Sequence, residues 1–562
     1  SCLMIHGRCH DALYPMMYLA DRLKEEVYLN AAKRLFLWGG NLLCDDGSYY
    51  NDAQNDWAGI TVFSVIALEH ALEFHSGLLT KEEKGEWEER LRVTAEWVNK
   101  TITPQFDVNI NYHAACAEAL ALTGTYFGRA DYLRRADEMA EFCMDYISEE
   151  GLLFGEGKPR DERSPKGCRA VDIGYNVEES LASLLAYGRI RENEKVRKAV
   201  RRMLWVHLEF MNPDGGWDNT VGTRNYKWSY WGSRTSDGCQ LAYGLLGEEE
   251  PVFSDASYRN VKLYERCTHN GLLYGGPDYF VHGELPCVHH TFCKAKALAA
   301  LLDYGAVNVT PGILPSERLD PIKYWPCLDS YRMAAGGFIA TVTAYDIEYQ
   351  KGGHASEGTM TMLWNRGVGM ILASSTVEYA LVEPTNGQLS LKKRDHRPMT
   401  MRLETCEGHY FSSAYDDRAV FRNAVFSAES GSATLEAGGH LADRDRKHGT
   451  GSQGEARYEY YFHYHLEKAK TSVRACVTGC EVPVRWVIPV VGSQEAGCKK
   501  MGKFRYRIQG ERGCAVLEFD REPDRICPVF FLNGGFEGWE VILNMSEGEE
   551  CGFSVRPEGE NE

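Results

Sequence analysis

Lys351-Gly-Gly-His-Ala-Ser-Glu-Gly-Thr-Met-Thr-Met-Leu-Trp364, with the apolar stretch Gly369-Met-Ile-Leu-Ala-Ser-Ser375 close behind it, alternates like a strand and its neighbour. Its entrance holds His354 between glycines and small residues, so a β-domain here can hand a titratable group to whatever packs against it. The same alternation recurs in Gly337-Phe-Ile-Ala-Thr-Val-Thr-Ala344, in Glu455-Ala-Arg-Tyr-Glu-Tyr-Tyr-Phe-His-Tyr-His465 after a Gly-rich turn, in Val482-Pro-Val-Arg-Trp-Val-Ile-Pro489 and in Gly535-Phe-Glu-Gly-Trp-Glu-Val-Ile-Leu543. Many short alternating runs separated by turn residues predict an antiparallel β-sandwich.

Upstream the period changes. To about residue 305, apolar residues recur at three- and four-residue spacing, as in Ala12-Leu-Tyr-Pro-Met-Met-Tyr-Leu-Ala20, Ala114-Ala-Cys-Ala-Glu-Ala-Leu-Ala-Leu122 and Val196-Arg-Lys-Ala-Val-Arg-Arg-Met-Leu-Trp205. One loop type returns between these helices: Asp45-Asp-Gly-Ser-Tyr-Tyr50, Glu149-Glu-Gly-Leu-Leu-Phe154, Pro213-Asp-Gly-Gly-Trp217 and His269-Asn-Gly-Leu-Leu-Tyr274. The spacing, near multiples of roughly fifty to sixty residues, matches a helical hairpin repeat in which glycine ends a helix and aromatic residues follow. Stacked hairpins form an open solenoid or close into a ring. Eight of the twelve tryptophans, Trp38 to Trp231, fall in this half, and sugar rings stack on Trp and Tyr, which favours a closed α/α toroid with its loops round one cleft.

The expected fold class is therefore α+β multidomain. An N-terminal (α/α) toroid of about five to six helical hairpins spans residues 1–306, a Pro/Gly linker 307–324, and an antiparallel β-sandwich contributing His354 spans 325–562. Two domains also agree with 562 residues, more than one core usually supports. The net charge of −18 argues against nucleic acid as partner, and an acidic polysaccharide or oligosaccharide fits only where Arg and Lys gather in a cleft. No apolar run is long enough for a membrane span, and the N-terminus has no basic-then-apolar leader. The eighteen cysteines form no CxxC pair and read as reduced, buried thiols, which places the chain in the cytoplasm, or in the periplasm or outside the cell if a signal has been removed. The oligomeric state is not legible, and Arg556–Glu562 reads as a solvated tail.

Four segments carry candidate chemistry. Asn109-Ile-Asn-Tyr-His113 opens a helix; Asn109 or Asn111 can cap it, or Asn111 and His113 can bind a carboxylate and exchange protons. Asp172-Ile-Gly-Tyr-Asn-Val-Glu-Glu-Ser180 opens the next hairpin with Tyr175 and Asn176, Tyr175 being either a core residue or an acid/base. Thr223–Asp237 mixes Arg224, Lys227 and Arg234 with Trp228, Tyr230 and Trp231, a candidate wall for an anionic sugar. Gly283-Glu-Leu-Pro-Cys-Val-His-His290 supplies His289 and His290, one of them expected to pack or cap.

Together these residues resemble the heparinase II/III-type polysaccharide lyases and the related alginate, gellan and hyaluronate lyases. Asn111-Tyr-His113 is similar to that superfamily's Asn-His element, Gly174-Tyr-Asn-Val-Glu178 to its Gly-x-Tyr/Phe-x-Glu element, and Gly353-His-Ala-Ser-Glu357 to its Gly-His-Ala-Asp element. Tyr112 separates the Asn and His here, and Ser356 replaces the acid. The resemblance implies β-elimination at a 4-linked uronate of a glycosaminoglycan-like glycan such as hyaluronan, chondroitin or a heparin-type chain. It implies catalytic roles for Asn111, His113, Tyr175 and His354, with Asn176, Arg224, Trp228, Trp231, Arg234, His289 and His290 binding substrate. Asn111, Asn176 or Arg234 would neutralise the uronate carboxylate, His113 or Tyr175 would take the C5 proton, and Tyr175 would protonate O4. No cofactor or catalytic metal is expected, and a structural metal is left open. Two rivals stand beside this reading. A glycoside hydrolase on unsaturated or acidic oligosaccharides would use two of Asp45, Asp46, Asp214, Asp218 and Asp237, and a non-catalytic glycan-binding protein would need only the Trp/Arg wall.

Overall fold

The computed structural model describes residues 6–52, 56–286, 288–306, 308–351, 353–373, 400–450 and 457–559. Readings that touch Cys2, Cys287, Gly352, Ser374–Ser375, Glu455–Ala456 and the last three residues of the C-terminal tail lie outside these.

Among the described residues the N-terminal half folds as five helical hairpins and a closing helix. The inner helices Thr61–His75, Ile110–Phe127 and Leu181–Ile190 are buried on almost every face, so they carry apolar and small residues all round. The outer helices Glu26–Gly39, Ala130–Met144 and Glu194–His207 show one buried stripe and an otherwise polar surface. Local chemistry starts several of them. Thr80 accepts from Glu83 N (3.2 Å) while Glu83 accepts from Thr80 N (2.9 Å), a reciprocal cap for Lys81–Thr101, and Asn193 caps Glu194–His207 through Val196 N.

The ring closes where Val288–Asp303 packs against Leu13–Leu23. Tyr14 Oη donates to Asp303 at 2.9 Å, and the His75 ring lies 2.9 Å from the same carboxylate. The repeated loops are small bridged turns, pairing Leu43 with Tyr49, Ile147 with Leu153, Met211 with Trp217 and Thr268–His269 with Leu272–Leu273. Gly47, Gly151, Gly215 and Gly271 sit at positive φ (91°, 93°, 90° and 76°), so glycine serves the tip of each turn rather than the helix C-cap.

The last toroid helix ends at Asp303 and the first strand of the large sheets runs Ile322–Trp325. A five-stranded antiparallel meander follows, from Ile322–Trp325 to Gly369–Ala373. It joins a four-stranded sheet (Arg402–Thr405, Val484–Val491, Phe536–Met545, Arg525–Phe531) and an eight-stranded one. One core, including Phe338, Leu363, Leu403, Tyr460, Phe462, Trp486 and Leu517, lies between these layers. Alternation along Glu459–Leu466 turns Tyr460, Phe462 and Tyr464 into that core. No helix among the described residues is long and apolar enough to cross a membrane. The described cysteines are free thiols; most are buried, and Cys44 and Cys406 are exposed.

Candidate active site

Tyr175 is delivered by an irregular turn. Asp172 accepts from Tyr175 N (2.8 Å) and caps Ile173–Tyr175, a π-helical turn over Asn176–Ser180 follows, and the inner helix Leu181–Ile190 continues it. A π-turn re-aims side chains within a helix and recurs at functional sites. The Tyr175 hydroxyl is hydrogen-bonded to Thr235 Oγ1 and accepts from Lys227 Nζ at 3.3 Å, while Lys227 also donates to Thr235 (3.2 Å). The Arg224 guanidinium lies over the Tyr175 ring, 4.2 Å from its centroid. Burial pushes the phenol pKa up and Lys227 and Arg224 pull it back; the net direction is upward.

Around this tyrosine runs a buried polar network. Asn111 gives its backbone N–H to Glu156 (2.8 Å) and its amide to Glu179 (2.7 Å). Arg224 stands 3.5 Å from Glu156, and Arg8 stands 3.5 Å from Glu179 and 2.6 Å from Asp237, which Lys296 reaches at 2.8 Å. Burial raises both Glu156 and Glu179 to about 7, although Arg224 and Arg8 respectively oppose it. Burial acts upward on Asp237 too, but Lys296 and Arg8 outweigh it and hold the carboxyl at about 2. Below Glu179 lies a water-sized cavity of about 30 Å³ lined by Glu118, Glu178 and Lys296 among others.

The remaining sequence candidates divide. His113 turns away from this network: its ring lies 3.1 Å from Thr103 O and packs against Phe142, and burial lowers its pKa to about 4. Residues two apart on a helix do not share a face, so with Asn111 directed to the network His113 faces the neighbouring helices. Tyr112 takes the position expected of His113. It is half-buried, its hydroxyl accepts from Trp57 Nε1 (2.8 Å), and its electrostatic neighbours are Glu179, Tyr175 and Arg224. Asn176 is a fastener, donating to Leu153 O (2.8 Å) and lying 3.0 Å from His207 Nε2. His289 is stacked on His6 with ring centroids 4.8 Å apart, and its buried Nε2 has no hydrogen-bond partner. Burial first, then His6, Arg8, His290 and Lys227, keep it neutral. His290 packs edge-on to Trp231.

The aromatic wall is not in the cleft. Trp228 and Trp231 are fully buried, donate to Trp217 O (2.8 Å) and Tyr274 O (3.0 Å), and pack with Ile339, Met362, Trp364 and Phe536 in the seam between the toroid and the sheets. Arg234 crosses the same seam to Leu532 O. A large flat ring gains more by filling a dry interface than by facing solvent, and its N–H is satisfied by a carbonyl there. Four of the five carboxylates of the hydrolase reading are likewise engaged, and Asp45 is exposed on a turn. Asp46 holds Ser48 and Trp97, Asp214 accepts from Tyr230 and Trp364, Asp218 pairs with Arg332, and Asp237 pairs with Arg8 and Lys296.

His354 is enclosed within the β-region, edge-on to Tyr345, and burial, reinforced by Arg446, lowers its pKa to about 4. Its loop nevertheless reaches the toroid. Gly353 lies against Tyr226, where an added Cβ would come within 3.4 Å of the ring, and Tyr349 sits 5.6 Å under Arg224. The side chain handed across is therefore Tyr349, not His354. Nothing in the local sequence distinguishes the two. Among the described residues no cluster of three His, Cys, Asp or Glu side chains suits a metal ion.

The sequence and the fold have relatives among known proteins. The family model of the ulvan lyase N-terminal domain matches residues 1–312, and that of the ulvan lyase C-terminal domain matches 322–556. A broad-specificity ulvan lyase from Formosa agariphila is 35% identical over 533 residues, covering 92% of this chain and 82% of its own. In fold, the chondroitin AC lyase of Streptomyces coelicolor matches with a TM-score of 0.55 at 12% identity, over 98% of this chain and 74% of that one. The heparan sulfate lyase of Pedobacter heparinus matches with a TM-score of 0.50 at 10% identity, over 96% and 74%. An α/α toroid followed by antiparallel sheets, a tyrosine flanked by two cations at the toroid loops, and sequence matches over both halves lead to one conclusion: the chain is a polysaccharide lyase and belongs to the ulvan lyase family.

Proposed function

We propose that this lyase cleaves ulvan at a 4-linked uronate by β-elimination, leaving a 4,5-unsaturated uronate at the new non-reducing end. Ulvan replaces the glycosaminoglycans expected from the sequence because the relative that matches 35% of residues carries that activity in its name. The observation that carries the mechanism is the Tyr175 hydroxyl held between Lys227 and Thr235 with Arg224 on its ring.

In this reading Arg224 receives the uronate carboxylate. Its Nε is buried and has no hydrogen-bond partner, whereas the Asn111 amide is already given to Glu179. Charge on the carboxylate is then tolerated as the C5–H bond breaks, the contribution of such a donor being about 3 kcal/mol. The Tyr175 phenolate, stabilised by Lys227 and Arg224, takes the C5 proton. Electrons from the C5–H bond form the C4=C5 double bond, the C4–O4 bond breaks, and Tyr175 returns the proton to O4. Asn111 holds Glu156 and Glu179 in place, and the half-buried pair Trp57–Tyr112 offers the sugar an aromatic face.

The test is ultraviolet absorbance of the conjugated product during incubation with ulvan, hyaluronan, chondroitin, heparin-type, alginate and gellan substrates. A rise on ulvan supports the reading; new reducing ends without absorbance would replace elimination by hydrolysis. Comparing intact polymers with their oligosaccharides also addresses location, since an intact polysaccharide meets an exported enzyme and the cytoplasmic placement suits short products.

A further inference from the structure

A second recess lies at the seam, away from Tyr175. A pocket of about 150 Å³ is bounded by Pro213 of a toroid turn, Ser316–Leu319 of the segment joining the two halves, Ala334–Ile339 of a hairpin in the five-stranded sheet, and Trp364 and Arg366. That volume accommodates one six-membered ring. Two cations line it, Arg318 and Arg366, both exposed, and neither is in an ion pair or side-chain hydrogen bond with any described residue. In a chain carrying a net charge of −18, two uncommitted guanidinium groups at one opening form a local positive site. Ser316, also in the lining, adds a polar group: it is 3% exposed, and its Oγ has no hydrogen-bond partner.

The carboxylate at the rim does not cancel this charge. Glu317 is taken by Arg259 at 3.2 Å and by Leu314 N at 3.0 Å. The indole N–H of Trp364 is likewise taken, by Asp214 at 3.1 Å. Arginine forks bind carboxylate and sulfate oxygens, and a recess the size of one ring limits the bearer of that anion to a single sugar residue.

We infer that this pocket is a secondary subsite for one anionic sugar residue, its carboxylate or sulfate held by Arg318 and Arg366 and a hydroxyl held by Ser316. It grips the polysaccharide at a point that shares no lining residue with the Tyr175 site, where binding energy raises local substrate concentration without touching the reacting atoms.

The test is titration calorimetry at low ionic strength on the full chain, with glucuronate and glucose 6-sulfate as probes, glucose as the neutral control and inorganic sulfate as competitor. The protein carries Arg224→Gln, which removes the guanidinium assigned to the uronate carboxylate in the catalytic cleft, and any binding left in the cleft is unchanged by the Arg318/Arg366 substitutions. The expected result is saturable binding of an acidic sugar, displaced by sulfate, absent for glucose, and weakened at least tenfold in a further Arg318→Gln/Arg366→Gln variant. Both arginines are exposed, so that variant is expected to keep the parent melting temperature. Unchanged affinity in the double variant overturns the inference, as does equal binding of glucose. Binding of inorganic sulfate without either acidic sugar overturns it as well, since the pocket would then hold an anion and no sugar. None of these outcomes depends on which bond the enzyme breaks.

Discussion

Replacing Tyr175 by Phe removes one oxygen atom and leaves the ring. The ring keeps its place beneath Arg224, 4.2 Å away, so the cation–π contact and the carboxylate-binding guanidinium stay where they are. What is lost is the hydroxyl shared with Thr235 and Lys227. For folding, the net loss is about 1 kcal/mol. For the reaction the loss is far larger, because one oxygen serves as both base and acid. Each such proton transfer contributes about 10²- to 10⁴-fold, so the variant is expected to lose at least about 10⁴-fold in kcat, or roughly 5 kcal/mol at 1.36 kcal/mol per decade. KM is expected to stay within about threefold, since substrate contacts are retained. The assay is initial-rate absorbance of the unsaturated product on ulvan, with binding of the uncut polymer measured separately and melting followed by circular dichroism. A fall in kcat of less than tenfold in a folded variant would refute the assignment of Tyr175, as would a rise in KM with kcat preserved.

Four further outcomes follow from the same geometry. The Tyr175 pKa lies above its ordinary value and the base form is the active one, so kcat/KM is expected to climb toward alkaline pH; Lys227→Met removes a cation that pulls this pKa down and moves that limb higher, and a pH–rate profile with no displacement would exclude Lys227. Trp228→Ala is expected to destabilise the fold by about 3–5 kcal/mol, whereas Trp57→Ala leaves melting nearly unchanged and raises KM severalfold, a contrast read from thermal melts beside kinetics. His113→Asn is expected to retain kcat within about threefold and to lower stability by about 1 kcal/mol, because its ring binds Thr103 O; a thousandfold loss of kcat would return it to the site. Glu118 is buried and raised to about 7, so above that pH the fold carries an unfavourable buried charge, and its contribution to stability falls as pH rises from the ordinary carboxylate range to about 7. Glu118→Gln should therefore raise the melting temperature more at pH ~8 than at pH ~5; equal shifts at both would show that the carboxyl does not titrate there.

The architecture was largely legible because it rests on local regularities. Three- and four-residue periodicity marks Ala114–Leu122 as helix, and strict alternation marks Tyr460, Phe462 and Tyr464 as one face of a strand. The recurring Gly47, Gly151, Gly215 and Gly271 mark the turns, since each occupies a backbone conformation that other residues resist. Tyr175 was legible only as a candidate, in a segment that opens a helix and with core and acid/base readings both open; the fold sets its hydroxyl against Lys227 and Thr235. The aromatic and basic run Thr223–Asp237 was legible as a cluster but not as to purpose: Arg224 and Lys227 turn to Tyr175 while Trp228, Trp231 and Arg234 fill the seam.

Sequence by itself determined which segments are helix, which are strand and where the chain turns, since those choices depend on neighbours within a few residues. It could not decide which of two adjacent aromatic or titratable residues meets the cleft. Tyr112 rather than His113 and Tyr349 rather than His354 stand beside the site, and each choice is set by packing partners far away in sequence. The charges follow the same rule. Glu156 and Glu179 are raised to about 7 because the fold buries them beside Asn111, whereas Asp237 stays ionised because ring closure brings Arg8 and Lys296 to it. Desolvation and the attraction between charges depend on distance and dielectric in three dimensions, and only the closed toroid against its sheets supplies those.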